Sequence, residues 1–232
     1  MPNIPLRHEQ KYFINEMQYH LLSSALDRVL WRDPNGDENN EYHIRSLYFD
    51  TVFNDAYFDK IDGDQNRDKY RIRIYRYSDK EIFLERKRKL GDLIQKSSVQ
   101  ITRRLCEQLI SGDPRGLQTS SNPLLQDMFV QMRLRLLRPA VIVDYAREAY
   151  LHPAENVRIT FDLGLRSGLH SFDLFNAELP TVSPHDRNVE ILEVKFDRYL
   201  PGHIAALLGG VEAERSAVSK YVLCRRFEPL QG

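Results

Sequence analysis

Arginine and lysine side chains recur at every second position in the middle of the chain. Residues 69–75 place Lys69, Arg71 and Arg73 on one face of a predicted strand, and Glu85 and Lys87 alternate in the same way over residues 81–89. Side chains two residues apart share a strand face. Two positive charges about 4 Å apart repel by roughly 4 kcal/mol at an effective dielectric constant near 20. Such a face therefore favours an anion, and arginine suits the geometry of phosphate.

The same alternation continues on later segments. Arg158 lies between the apolar residues of 156–166, and Glu193 and Lys195 alternate with apolar residues over 189–197. An ordinary half-buried sheet with its charged face in water is the simplest explanation for any one of these segments. Arginine and lysine recur in nearly all of them, however, and helices are available to cover the apolar faces. We therefore expect the charged faces to turn inward, around an anionic ligand.

The elements that must position these side chains alternate between strands and helices. Strands are predicted at 6–14, 42–49, 68–77, 80–89, 92–102, 139–150, 156–166 and 189–197. Helices are predicted at 15–31, 51–62, 103–112, 122–137, directly after Pro201 and at 217–227. Eight strands are enough to close a barrel, and closure removes exposed edges. The prediction is an α+β fold: an eight-stranded antiparallel β-barrel with helices packed outside.

Composition limits the function classes. The chain has 232 residues with 33 basic and 33 acidic side chains, so a general polyanion binder is excluded and a basic site must be local. Two cysteines are too few for a disulfide framework or a structural zinc site. With no internal repeat and no clear linker, we expect one domain over residues 1–232. With no signal-like or membrane-spanning apolar run, we expect no membrane span and a cytoplasmic location. The basic run 85–89 is split between two strand faces, so nucleic acid is not an expected partner.

Nine short motifs in order resemble the VTC (vacuolar transporter chaperone) polyphosphate polymerase domain of the CYTH-like triphosphate tunnel metalloenzyme superfamily. They are RHEQKYFI, IRSLYFDT, KYRIRIY, IFLERKRK, IQKSSV, VIVDYAREAY, VRITFDLGLR, ILEVKF and SAVSKY. The resemblance covers nearly the whole chain. It implies a tunnel of eight antiparallel strands that binds triphosphate and polyphosphate inside it.

The resemblance also implies roles for individual residues. Catalytic roles are implied for Arg71, Arg73, Lys87, Lys96, Arg147, Arg158 and Lys220. Substrate-binding roles are implied for Lys11, Arg45, Tyr48, Lys195 and Ser219, with Glu85 as a further tunnel residue, and the alternation adds Lys69 to the substrate-binding set. Glu193 is the implied ligand of a divalent metal, manganese or magnesium.

One departure separates this chain from the hydrolases of that superfamily. They usually carry Glu-x-Glu-x-Lys on the first strand, and here Arg7 replaces the first glutamate before Glu9 and Lys11. The resemblance therefore favours a polyphosphate polymerase that uses ATP and inorganic polyphosphate. A triphosphate or polyphosphate hydrolase and a non-catalytic polyphosphate-binding module are the alternatives. The sensor domain and membrane helices of the fused eukaryotic proteins are not expected here.

Overall fold

The computed structural model describes residues 8–91, 93–185, 189–209 and 217–227. The described residues form nine strands: β1 (His8–Asn15), β2 (Trp31–Arg32), β3 (Glu41–Asp50), β4 (Asn66–Tyr75), β5 (Phe83–Leu90), β6 (Leu93–Gln100), β7 (Arg138–His152), β8 (Val157–Ser167) and β9 (Val189–Phe196). They also form six α-helices: α1 (Glu16–Leu26), α2 (Asp55–Ile61), α3 (Arg103–Ile110), α4 (Pro123–Leu134), α5 (Gly202–Gly209) and α6 (Lys220–Arg225).

The strands are hydrogen-bonded in the order β1-β9-β8-β7-β3-β4-β5-β6, and β2 pairs with β7. The β4–β5–β6 meander is antiparallel, as the short predicted turns require. The antiparallel α+β architecture is thus confirmed. Among the described strands, β1 and β6 end the order without pairing to each other, so closure into a barrel stays a prediction.

The chain divides into two compact units, each assembled from separate segments. The first contains the described parts of Met1–His43, Tyr145–Leu165 and His185–Ser219. The second contains those of Ile44–Asp144, Arg166–Pro184 and Lys220–Gly232. The single domain expected from the sequence stays a prediction.

In the first unit, one face of β8 and β9 packs against helices. Leu192 and Val194 on β9 are buried in the same core as Leu22 and Leu26 of α1 and Ile204 of α5. Helix α1 begins after a capping residue: Asn15 Oδ1 accepts the Gln18 N–H at 2.8 Å, and Gln18 Oε1 accepts the Asn15 N–H at 2.8 Å. Because the apolar residues take the helix-covered face, Glu193 and Lys195 occupy the other one.

The second unit repeats this division of faces. Ile72 and Ile74 of β4 are buried with Cys106 of α3 and Met128 of α4. Asn122 caps α4, since its Oδ1 accepts the Leu124 N–H at 2.9 Å. The opposite face of the meander carries the alternating arginines and lysines.

No helix in the described part of the chain is long and apolar enough to cross a membrane.

Candidate functional site

A cluster of polar and charged side chains covers the sheet face of the second unit that points away from helices α3 and α4. We call it the Glu85 cluster; its members are Tyr48, Lys69, Arg71, Arg73, Glu85, Lys87 and Lys96. Strand register places Arg71 of β4 between Tyr48 of β3 and Glu85 of β5. The Arg71 guanidinium donates to Glu85 Oε2 at 2.7 Å from Nε and to the Tyr48 hydroxyl at 2.9 Å from Nη1. Lys96 Nζ lies 2.5 Å from Glu85 Oε1.

Glu85 is the internal counter-ion of this cluster. Its side chain is almost fully buried, and burial alone would raise its pKa. Arg71, Arg73 and Lys96 outweigh that effect and lower the pKa of Glu85 to about 2. The carboxylate therefore stays ionised at neutral pH and holds cations of the two neighbouring strands, β4 and β6, in place.

Three lysines form a row across the meander. Lys69 of β4 lies directly opposite Lys87 of β5, which lies directly opposite Lys96 of β6. Like charges at directly opposite positions destabilise a sheet. The row therefore concentrates positive charge along one line across the strands, and a linear chain of phosphates is complementary to it.

Helix α6 adds cationic charge to this cluster. Ser219 precedes it and Lys220 is its first residue. Burial raises the pKa of Tyr48, but Arg71, Arg73 and Lys220 outweigh burial, and the pKa is lowered. Lys220 thus acts electrostatically on the same tyrosine that accepts a hydrogen bond from Arg71.

A second cluster lies on the charged face of the first unit. We call it the Glu193 cluster; its members are Glu9, Lys11, Arg147, Asp162, Glu193 and Lys195. Glu193 is 5% exposed. Its Oε1 lies 2.9 Å from Lys195 Nζ and 3.8 Å from Lys11 Nζ, and its Oε2 lies 3.6 Å from Arg147 Nη2. Glu9 Oε1 lies 3.0 Å from Lys11 Nζ.

The cations of the Glu193 cluster differ in protonation behaviour. Burial lowers the pKa of Lys195 to about 8, against the opposing effects of Glu193 and Glu9, and Arg147 adds to the decrease. Arg147 is fixed by two hydrogen bonds to Asp162, at 2.6 Å from Nε and 2.9 Å from Nη2. Lys195 is therefore the member whose charge responds to mildly alkaline pH.

The oxygen donors around Glu193 fit a divalent cation only if it shares its coordination with phosphate. Across the described residues, no three His, Cys, Asp or Glu side chains converge into a protein-only metal site. Glu193 and Glu9 contact the same Lys11 ammonium. Thr160, opposite Glu193 in register, has a buried hydroxyl with no hydrogen-bond partner among the described residues. One or two carboxylates plus substrate phosphates are the usual ligands of magnesium, so this donor set fits a substrate-bridging ion.

Two arginines expected at the substrate make other contacts. Arg45 is 1% exposed and donates to Asp144 Oδ2 at 3.0 Å from Nε and 2.6 Å from Nη2. Arg158 lies opposite Lys195 in register but donates to Asp33 Oδ2 at 2.7 Å and to the Tyr42 hydroxyl at 2.8 Å. Their substrate roles stay predictions. Arg7, the residue that departs from the hydrolase pattern, lies outside the described residues.

Sequence reasoning missed two residues beside the Glu85 cluster. The Tyr221 ring lies 5.1 Å from Lys69 Nζ and 5.2 Å from the Tyr48 ring, and its hydroxyl donates to Asp50. The alternation could have placed Asp50 on the same strand face as Tyr48, because the two residues are two positions apart. No local signal could connect Asp50 with Tyr221, because they are far apart in the sequence.

Comparison with known proteins adds a family and a fold. Residues 6–227 match the family model described as the VTC domain. The Hippeastrum protein HpAC1, described as a proposed adenylyl cyclase with a dominant triphosphatase activity, has 15% identity and a TM-score of 0.57 over 97% of this chain and 99% of that one. A proposed adenylate cyclase from Bacillus halodurans has 11% identity and a TM-score of 0.50 over 89% of this chain and 87% of that one. These similarities concern the fold, which is the CYTH-like fold expected from the sequence. No curated protein sequence matches significantly.

Proposed function

Because the chain belongs to the VTC domain family, we propose that it is a polyphosphate polymerase that transfers the γ-phosphate of ATP to a growing inorganic polyphosphate chain. The observation that carries this proposal is the lysine row of Lys69, Lys87 and Lys96, in register across three strands. A linear chain of phosphates matches a linear row of cations better than a single phosphate does. Closure of the strands around that chain and a cytoplasmic location belong to the same proposal.

The reaction needs little covalent chemistry from the protein. A terminal oxygen of the polyphosphate chain attacks the γ-phosphorus of ATP. The bond from that phosphorus to the β,γ-bridging oxygen breaks, and ADP leaves with the electron pair. Phosphoryl transfer of this kind depends on alignment and on stabilisation of charge. Arg71, Arg73, Lys87 and Lys96 would hold the phosphates in one cluster, with Lys11, Arg147 and Lys195 doing so in the other.

Glu193, with Glu9 as a second carboxylate in contact with the same lysine, would hold a manganese or magnesium ion. The ion would withdraw charge from phosphate oxygens during transfer. The contribution of this chain is the buried carboxylate and the lysines that contact it. Lys11 touches both carboxylates and would leave part of this contact when the ion binds.

A triphosphate hydrolase is the second candidate. The supporting observation is the similarity of the fold to HpAC1, which is described as having a dominant triphosphatase activity. In that case water would replace the chain end as nucleophile, and the same clusters would bind triphosphate. The two reactions share a binding site and differ in the acceptor.

Product analysis separates these functions. The purified chain is incubated with ATP, short polyphosphate and manganese or magnesium, and products are resolved by gel electrophoresis and phosphate release. Longer polyphosphate with matching ADP supports the polymerase. Orthophosphate without chain growth supports the hydrolase, and binding without turnover would make the chain a binding module.

Glu193→Gln tests the metal ligand in the same assay. The substitution keeps the shape of the side chain and removes its charge, so metal-dependent turnover should be lost while tripolyphosphate binding remains. Glu107→Gln is the matched control, since Glu107 is an exposed glutamate of α3 paired with Arg103 at 2.8 Å. Unchanged metal dependence in Glu193→Gln would refute the assignment.

A further inference from the structure

Helix α6 is attached to the second unit through the hydroxyl group of Tyr221. This hydroxyl donates a hydrogen bond to Asp50 Oδ2 and accepts one from Arg225 Nη1 at 2.7 Å. Arg225 Nη2 also donates to Asn54 Oδ1 at 2.8 Å. Tyr221 is 2% exposed. Burial and the Asp50 carboxylate raise its pKa, against the effect of Arg225, so the hydroxyl remains a hydrogen-bond donor.

Asp50 is itself a rigid anchor at the end of β3. Its Oδ1 accepts the backbone N–H groups of Thr51 at 2.8 Å and Ala56 at 2.9 Å, and its Oδ2 accepts the N–H of Tyr57 at 3.1 Å. These bonds hold the carboxylate against the first turn of α2. The hydroxyl of Tyr221 therefore binds a group that does not move independently of the sheet.

The ring of the same tyrosine reaches the Glu85 cluster. Lys69 Nζ lies 5.1 Å from the ring centroid, within the range of a cation–π contact. The Tyr48 ring packs at 5.2 Å with an interplanar angle of 30°. Lys220 directly precedes Tyr221, so whatever fixes Tyr221 also fixes the backbone that carries Lys220.

We propose that Tyr221 is a positioning residue: through its hydrogen bond to Asp50 it holds α6 so that the Lys220 ammonium contacts polyphosphate at the Glu85 cluster. This inference rests on the proposed function. It deepens that proposal by assigning the affinity for the phosphate chain in part to a residue that does not itself touch phosphate.

The hydroxyl and the ring of Tyr221 have separable effects. Tyr221→Phe keeps the ring that contacts Lys69 and Tyr48 and removes only the bonds to Asp50 and Arg225. A helix that is docked for only a fraction of the time lowers the apparent affinity by that fraction. We expect tripolyphosphate to bind roughly three- to tenfold more weakly to Tyr221→Phe, which corresponds to a helix that is docked for about a third to a tenth of the time.

A double-mutant cycle tests whether this loss acts through Lys220. Affinity for tripolyphosphate is measured by calorimetry, without divalent metal, in the wild-type chain, Tyr221→Phe, Lys220→Ala and the double variant. If Tyr221 acts by positioning Lys220, its substitution weakens binding in the wild-type background and has no further effect once Lys220 is alanine. Hydrogen exchange of the α6 amides should be faster in Tyr221→Phe in both backgrounds.

Tyr70→Phe is the matched control. Tyr70 is also a buried tyrosine of the second unit, 3% exposed, and its hydroxyl donates to Asp127 at 2.6 Å on the helix-covered face. Removal of the Tyr70 hydroxyl should reduce the free energy of unfolding and leave the affinity for tripolyphosphate unchanged. Equal losses of affinity for Tyr221→Phe with and without Lys220, or no loss at all, would overturn the positioning role while wild-type binding still supports the proposed function. Failure of the wild-type chain to bind tripolyphosphate would overturn both.

Discussion

Replacing Glu85 by glutamine should make the free protein less stable and its complex with polyphosphate tighter. The carboxylate is 4% exposed and is bonded to Arg71 and Lys96. The pKa of Glu85 decreases from 4.5 to about 2 in the folded chain. At about 1.36 kcal/mol for each pH unit, this difference corresponds to roughly 3 kcal/mol of stability. That stability is present above pH 4.5 and is lost as the pH falls towards about 2.

The effect on the ligand has the opposite sign. In the wild-type chain, a phosphate chain must share Arg71 and Lys96 with Glu85 and meets the repulsion of its carboxylate. Two like charges about 5 Å apart repel by roughly 3 kcal/mol at an effective dielectric constant near 20. Glu85→Gln removes that repulsion, so tripolyphosphate should bind about tenfold more tightly or better.

Urea unfolding with and without tripolyphosphate measures both effects. Without ligand, Glu85→Gln should lose about 3 kcal/mol of unfolding free energy. A ligand at a hundred times its dissociation constant adds about 2.7 kcal/mol, so at one fixed concentration the variant should gain more than the wild-type chain. Glu107→Gln, at an exposed ion pair, should change neither quantity. Unaltered stability, or weaker binding of tripolyphosphate, would refute the view that Glu85 competes with the substrate.

Three further predictions concern other charged groups. Burial raises the pKa of Glu190 to about 7. The stability that the protonated side chain contributes is complete below about pH 4.5 and should be lost as the pH rises through about 7. Urea unfolding of Glu190→Gln should show no such decrease in unfolding free energy over this pH range. Arg45→Met should cost about 3–5 kcal/mol of unfolding free energy, because it removes the guanidinium that pairs with the buried Asp144 carboxylate; a loss below about 1 kcal/mol would contradict this. Calorimetry without divalent metal should show tripolyphosphate affinity falling as the pH rises through about 8, where Lys195 loses its proton, and Lys195→Arg should abolish this dependence.

The faces of the strands could be predicted because apolar and charged residues alternate strictly on them. Ile72 and Ile74 were expected to pack against helices and are fully buried in the core with α3 and α4. The opposite face then follows from the period of two, and the register places Arg71 opposite Glu85. The helix caps Asn15 and Asn122 were predictable for a similar reason, since a capping side chain bonds within its own first turn.

The partners of individual charges could not be predicted, because they come from distant parts of the chain. Arg45 lies opposite Ile74 of β4 in register, so it occupies the helix-covered face rather than the face of the cluster arginines, and its guanidinium donates to Asp144. Arg158 meets Asp33 in the same way. Strand β2 has only two residues, which is too short for any periodicity, and its Trp31 is 68% exposed.

The lysine row also predicts how affinity depends on phosphate chain length. Neighbouring strands lie about 4.8 Å apart, so Lys69 and Lys96 are separated by about 10 Å across β5. One orthophosphate can meet only part of that row, whereas tripolyphosphate can meet all three lysines. Each added charge-assisted contact contributes about 1.5–3 kcal/mol, so tripolyphosphate should bind about a hundredfold more tightly than orthophosphate.

Lys96→Ala should weaken the binding of tripolyphosphate by roughly tenfold and the binding of orthophosphate much less. Lys80→Ala, on an exposed turn, is the control. Because Lys96 is half exposed, its contribution should decrease as salt increases. Calorimetry decides the question: equal affinity for the two anions would mean that the row does not bind a phosphate chain.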